Sequence, residues 1–231
     1  LAHSTRKNRV GDIKFKNLDG DDIIYHGLNR VGDSGDKSII GNKSPRYVYG
    51  ISLGADWSNF FMSAFFQGVG KQQWYPSGES RFWGQYNRPY NDFPRWQENN
   101  RFLPELQNFD AYLPLASGYS AQNANGQLRQ PNDRYLQNVA YIRLKSLNVG
   151  YHLPKSLTQR LKVSDISVYF SAENLFTYSP LYKITRDTDV TSIWGAGTQL
   201  TSLNSDDVRG DGDGFSYPQL KSLTFGLSVN F

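Results

Sequence analysis

Cysteine is absent from the 231 residues, and with it go disulfides, thiolate metal sites and cysteine nucleophiles. No run approaches the roughly 18 consecutive apolar residues that a membrane helix requires, so spanning by helices is excluded. Histidine is scarce, at His3, His26 and His152 only, which leaves few general bases. Charge of one sign is lacking too. The 25 basic residues stand against 21 acidic ones without a cluster or stripe, which gives nucleic acid no case as a partner. The chain opens Leu1-Ala2-His3 rather than with the charged, apolar and small-residue pattern of an export signal. Either such a segment has been removed or this is an interior piece of a longer polypeptide.

Aromatic rings are abundant, at 15% of residues, in a chain that is hydrophilic on average. The pattern of Leu223-Thr224-Phe225-Gly226-Leu227-Ser228-Val229-Asn230-Phe231 shows how the two coexist. Odd positions are large and apolar and even ones small or polar, the period of a strand with one greasy and one wet face. In a soluble sandwich the greasy face is core; in a transmembrane barrel it meets lipid, while the other side faces a polar lumen.

Four earlier stretches carry the same signature. Tyr47-Val48-Tyr49-Gly50-Ile51-Ser52-Leu53-Gly54-Ala55-Asp56-Trp57 and Phe60-Phe61-Met62-Ser63-Ala64-Phe65-Phe66-Gln67 read as a hairpin around Ser58. Tyr141 to Tyr151 places Leu147, Val149 and Tyr151 on one face, which meets Lys145 and Arg143 when continued backward. A bulge near Lys145 would switch the phase; the preferred alternative puts both cations beyond the apolar band, at headgroup level. A short link with room for one helical turn, through Leu157, Arg160 and Leu161, leads to Ile166-Ser167-Val168-Tyr169-Phe170-Ser171-Ala172-Glu173.

The connections alternate between short and long, so one rim receives tight turns and the chain end while the other receives every long loop. Outer-membrane barrels sort their loops this way, with short periplasmic turns and long extracellular loops; a soluble sandwich has no reason to. The expected fold is all-β: about five strands of a large antiparallel transmembrane barrel. Its parts are an extracellular loop over 1–44, a hairpin over 45–70, a long extracellular loop over 71–137, a second hairpin over 138–173, a third extracellular loop over 174–215 and a terminal strand over 216–231. Five strands cannot close a barrel, which in bacterial single chains takes eight or more, so other strands and lipid must complete it.

Candidate functional residues fall into three groups. Trp74, Trp83, Tyr86, Trp96 and Trp194 lie in the loops, either packed inside them or stacking on a solute or partner. Gln67, Asn148 and Glu173 fall on the polar strand face, toward a lumen or a plug; Glu173 on the lipid side would be a costly charge. Asp19, Asp21 and Asp22, crowded around Gly20, raise a calcium reading, although only part of an EF-hand pattern is present and no Glu follows at the required spacing. Gly32-Asp33-Ser34-Gly35-Asp36 resembles the nucleophile segment of trypsin-like proteases, but no histidine stands in a matching context, and no enzyme is expected.

Several motifs taken in order give a more specific indication. They are Gly11-Asp12-Ile13-Lys14-Phe15-Lys16-Asn17-Leu18-Asp19-Gly20-Asp21, Ile40-Gly41-Asn42, Phe65-Phe66-Gln67-Gly68, Tyr141-Ile142-Arg143-Leu144-Lys145-Ser146-Leu147, Gly150-Tyr151-His152-Leu153-Pro154, Ser171-Ala172-Glu173-Asn174-Leu175-Phe176-Thr177 and Tyr217-Pro218 ahead of Phe231. Together they resemble the C-terminal end of SusC/RagA-type TonB-dependent outer-membrane transporters of Bacteroidetes, over nearly the whole chain. The acidic loop departs from the family's Asn-Gly-Asp-Gly at Asp19 and Asp22. The resemblance implies a barrel of about 22 strands, a plug domain absent from this chain, a SusD-type surface lipoprotein as partner, and drive from TonB through an upstream segment. It also implies that Phe231 is a signal for barrel assembly, and that the cargo is an oligosaccharide or peptide. The alternative from another class is a soluble β-rich carbohydrate-binding module, which requires the apolar strand faces to meet one another.

Overall fold

Period-two alternation becomes hydrogen-bonded ladder along five long strands. β1 (Arg46–Trp57) and β2 (Phe60–Lys71) form the first hairpin. Two-residue strands β3 (Gln73–Trp74) and β4 (Gln137–Asn138) pair at the base of the long loop. β5 (Tyr141–His152), the short helix α1 (Lys155–Arg160) and β6 (Asp165–Tyr178) form the second hairpin, and β7 (Ser222–Asn230) completes the set. The sheet runs β1-β2-β5-β6-β7 and is antiparallel throughout. The computed structural model describes residues 9–25, 27–28, 30–76, 80–86, 92–117, 126–193 and 219–231.

Each short connection is tight for a local reason. Trp57 pairs with Phe60 across Ser58 and Asn59, and Ser58 takes the left-handed backbone (φ 56°) that a two-residue hairpin turn demands. α1 ends because Lys162 turns left-handed (φ 57°), letting the Val163 amide reach back to the Thr158 carbonyl at 3.1 Å. The two turns and the end of β7 share one rim: the His152 amide donates to the Asn59 carbonyl and the Ser164 amide to the Asn230 carbonyl, both at 2.8 Å. All the long segments leave from the opposite rim.

Register fixes the two faces. Ile51, Phe66, Leu144 and Phe176 stand in one row, and Ala55, Met62, Val149, Phe170 and Phe225 in another, all on the apolar side. Among the described residues no second sheet covers that side; Phe225 is 81% exposed and Trp57 78%. A soluble module would have sealed these side chains in a core, so the carbohydrate-binding alternative fails on its own requirement.

Lys145 is a bulge. Phe65 pairs with Ser146 and Phe66 with Leu144, so β5 spends one extra residue at Lys145, and β6 answers with two, Asn174 (φ 50°) and Leu175. The single insertion switches the phase of β5 and returns Leu144 and Ile142 to the apolar face. Arg143 goes to the polar face. This corrects the headgroup placement of Lys145 and Arg143 expected from the sequence. The same bulge lets β6 continue past Glu173 to Tyr178, beyond the hairpin end expected there.

The core of the protein lies in the loops. Trp74, Phe82, Trp83, Leu128 and Val139 from the segment between β2 and β5 pack with Leu181, Val190 and Ile193 from the segment after β6, and Ile13 joins from the first segment. Three aperiodic stretches are thus one folded cap above the outer rim, stitched by edge-to-face ring contacts such as Trp83–Tyr135 at 5.6 Å.

Candidate solute-binding site

Two surfaces are able to meet a solute: the polar face of the sheet and the loop cap. On the polar face, register assembles the predicted residues from separate strands. Gly54, Ser63, Asn148, Ser171 and Thr224 form one row across all five long strands; Gly50, Gln67, Arg143 and Thr177 form another. Glu173 sits between Ser146 and Ser222, and the Ser222 hydroxyl donates to it at 3.4 Å. It pairs with no cation among the described residues. The Asn148 side-chain oxygen is buried without a hydrogen-bond partner.

Sequence reading missed a third row, Phe61–Gly150–Tyr169–Gly226, in which rings alternate with glycines on neighbouring strands. A Cβ at Gly150 would lie 2.1 Å from Phe61, and one at Gly226 would lie 2.2 Å from Tyr169. The rings therefore lie flat on cross-strand glycine backbone, keeping this polar face low. Alternation assigned these aromatics to the polar side, but only register shows what lies beneath each ring.

At the outer end of β5 the Arg143 guanidinium, 4% exposed as a residue, uses four of its five N–H donors. It donates to Thr177 Oγ1 (2.7 Å) on β6, to Asp189 Oδ1 (2.7 Å) and Thr191 Oγ1 (3.2 Å) in the following loop, and to Gln219 Oε1 (2.6 Å) ahead of β7. Burial pushes the Asp189 carboxyl up. The Thr191 amide and hydroxyl, Arg143 and the Gln219 amide together outweigh that and hold it below the usual carboxylate range.

In the cap, Trp74, Trp83 and Tyr86 are 1%, 0% and 2% exposed, which corrects their assignment as contact residues: their rings are spent on the cap's own core. The Trp83 indole donates to the Pro76 carbonyl at 2.9 Å, and the Tyr86 hydroxyl to the Pro114 carbonyl. Trp96 is half-buried between Phe82 and Tyr112. Trp194 lies outside the described residues. Burial also raises the Tyr75 and Tyr86 hydroxyls and pushes Tyr135 up to about 12, the last opposed by Arg134. These three hydroxyls stay protonated over the physiological range.

The acidic turn is held by its own backbone amides. Asp19 accepts from the Asp21 amide at 3.2 Å and Asp21 from the Ile23 amide at 2.8 Å, while Asp22 stands in a left-handed position (φ 64°). These are self-contained turn bonds, and among the described residues no three His, Cys, Asp or Glu side chains converge. Asp36 organises this segment instead, accepting from the Leu18 amide (2.5 Å) and the Tyr25 amide (2.7 Å), which hold its carboxyl low. Phe231 is 95% exposed at the turn rim. Beside the turn segment a groove of about 390 Å³ opens between residues 11–16 and the cap residues Phe109, Tyr112, Asp133 and Arg134.

An antiparallel sheet with an uncovered apolar side, a low polar side and all long loops on one rim defines the wall of an outer-membrane β-barrel. No family model matches the chain. It is 26% identical to TonB-dependent receptor P26 of Formosa agariphila over 223 residues, and 26% identical to TonB-dependent receptor P3 of the same organism over 235; each match covers 96% of this chain. The chain spans about a fifth of those receptors' length, 20% and 19%. Its fold matches the RagAB peptide transporter with a TM-score of 0.52 at 21% identity, over 86% of this chain and 18% of that one. The chain is thus similar to TonB-dependent receptors along nearly all of its length, and its sheet is part of an outer-membrane β-barrel wall.

Proposed function

We propose that this chain supplies wall and outer cap to an energised importer of oligosaccharides or peptides. The separation of faces carries this reading: greasy side chains point to one side of a single uncovered sheet and Gly, Ser, Thr, Asn and Gln to the other. On this reading Gln67, Asn148 and Glu173 face the passage or its plug, and Glu173 takes a cation from one of them. Flattened rings over Gly150 and Gly226 allow a plug to pack close. The cap receives a surface lipoprotein of the SusD type, with Trp96 and Trp194 as its remaining candidate contact aromatics, and TonB pulls on a segment outside this chain. Phe231 serves as the assembly signal. An exposed apolar face and a loop cap fit transport better than catalysis, and no residue here is assigned a catalytic role.

The test is uptake of labelled oligosaccharides and peptides by cells with and without the receptor gene, each in the presence and absence of TonB. Loss of uptake in both deletions supports the reading. Uptake that persists without TonB sinks it. Deleting Phe231 should lower the amount inserted in the outer membrane several-fold; unchanged levels would leave it a lipid-facing aromatic only.

A further inference from the structure

The strands that complete a barrel join this sheet at its edges, β1 and β7, and a plug lies on the inner side. Neither covers the outward apolar side of β5 and β6, which stays open to lipid in the closed barrel. That side is uneven. Near the turn rim the register sets a square of four positions, with Tyr151 opposite Val168 and, two residues further from the rim, Val149 opposite Phe170. Each ring at a corner is doubled by one on the next strand: Tyr151 by Phe60, with ring centres 4.6 Å apart, and Phe170 by Phe225, at 5.0 Å. The other diagonal holds the two short valines. Between the ring pairs a groove of about 560 Å³ crosses from β5 to β6, within the roughly 300–1,000 Å³ usual for ligand sites. Of the side chains that line it from this face, only Tyr151 carries a hydroxyl.

At the rim below the groove the chain crosses from β5 to β6 through residues 155–164, which carry Lys155, Arg160 and Lys162, all exposed, and no acid. α1 packs on β6, and Leu157, with Leu161 one turn later, is left exposed. Exposed leucines beside cations are the composition of a segment that lies in the membrane interface. The acids at this rim, Asp56 and Asp165, alternate onto the polar side, where the Asp165 carboxylate lies 3.2 Å from His152 Nδ1.

We infer that the β5–β6 hairpin holds an anionic glycerophospholipid of the periplasmic leaflet, with one acyl chain in the groove and its phosphate at Lys155, Arg160 and Lys162. The inference goes beyond the importer reading: it needs the barrel wall and nothing about cargo. Every chain in a bilayer is apolar, so the groove selects by shape rather than by hydrophobicity. Selection among headgroups comes from the cations, each of which adds to the attraction for an anionic lipid. A second receptor copy packed on the same face would bring two sets of like charge to one rim, which disfavours it.

The experiment uses the intact receptor in phosphatidylcholine nanodiscs that hold a minor share of phosphatidylglycerol with a diazirine in one acyl chain. Photolabel, read by mass spectrometry, is expected at Val149, Val168 and their flanking rings, several-fold above that at Ile51 and Leu53 on the same apolar side. The same diazirine carried on phosphatidylcholine should label the groove several-fold less. Lys155→Gln, Arg160→Gln and Lys162→Gln together should bring the two lipids level, and raised salt should narrow the gap. Val168→Trp, which fills the groove, should remove its excess over Leu53 while the heat-modifiable folded band is kept; if that band is lost, the glutamine variant still decides. Label spread evenly over the apolar side, or equal groove labelling by both headgroups in the wild type, overturns the inference. So does cross-linking of two receptor copies through Val149 or Val168.

Discussion

Arg143 and Asp189 meet at 2.7 Å with side chains only 5% and 8% exposed, one on a barrel strand and the other in the loop that follows the next strand. The pair connects wall to cap. Removing one member of a buried pair leaves the other charge uncompensated, at a cost of about 3–5 kcal/mol. Asp189→Ala should therefore loosen the loop after β6, seen as faster hydrogen exchange over residues 179–193 in the detergent-solubilised receptor. The double change Arg143→Met with Asp189→Leu should cost much less than the sum of the single changes. Additive costs would show that the pair is not coupled.

The same contact sets an acid limit. A carboxyl whose folded pKa is depressed adds stability above its unfolded value, about 3.9, and loses it as pH falls through the lower folded value. Hydrogen exchange or pepsin cleavage in the 179–193 loop should rise below pH 4, and Asp189→Asn should remove that step. Tyr135 shifts the opposite way, raised by burial to about 12. Its stabilising share is complete below the unfolded value of about 10 and disappears as pH rises through 12. Tyrosinate absorbance for the cap should appear together with cap opening.

Deleting Lys145 tests the bulge. Without the extra residue Leu144 adjoins Ser146 in ordinary alternation, so Leu144 stays on the apolar side and Arg143 on the polar one, and only the local bend and twist of β5 are lost. The heat-modifiable, folded band on semi-native gels should stay near wild type for the deletion and for Lys145→Ala alike; a sharp fall for the deletion alone would show that the bulge's twist is itself needed for the barrel to close.

Gly150→Ala and Gly226→Ala test the flat rings. Each new methyl would collide with Phe61 or Tyr169, and overpacking of this kind costs about 1–3 kcal/mol. Pairing Gly150→Ala with Phe61→Ala should recover part of the loss in thermal midpoint. Equal midpoints for wild type and Gly150→Ala would show that the ring moves aside freely.

Trp83→Ala should empty part of the cap core at a cost of about 3–5 kcal/mol, confined to local opening of the cap. The measurement is exchange protection over residues 72–86 and 126–139 against that of β2 and β5, where no change is expected.

Alternation along Leu223 to Phe231, and along the four stretches before it, was enough to reveal strands, faces, hairpins and the sorting of loops to one rim, because a period of two is a local property of the chain. The placement of Gln67, Asn148 and Glu173 on one face followed from that period alone. The loop aromatics were harder. Trp74, Trp83 and Tyr86 carry no period, and whether such a ring is a platform or a core residue depends on partners from distant segments.

By itself, then, the order of residues determined that this is a two-faced antiparallel wall with its long loops on one side. Tertiary structure alone decided the rest. Two apolar faces of equal periodicity look identical until one knows whether anything packs on them, and the Lys145 bulge is visible only against the register of β2. Arg143, exiled to the headgroups by simple counting, becomes the buried tie between wall and cap once one extra residue turns its side chain around.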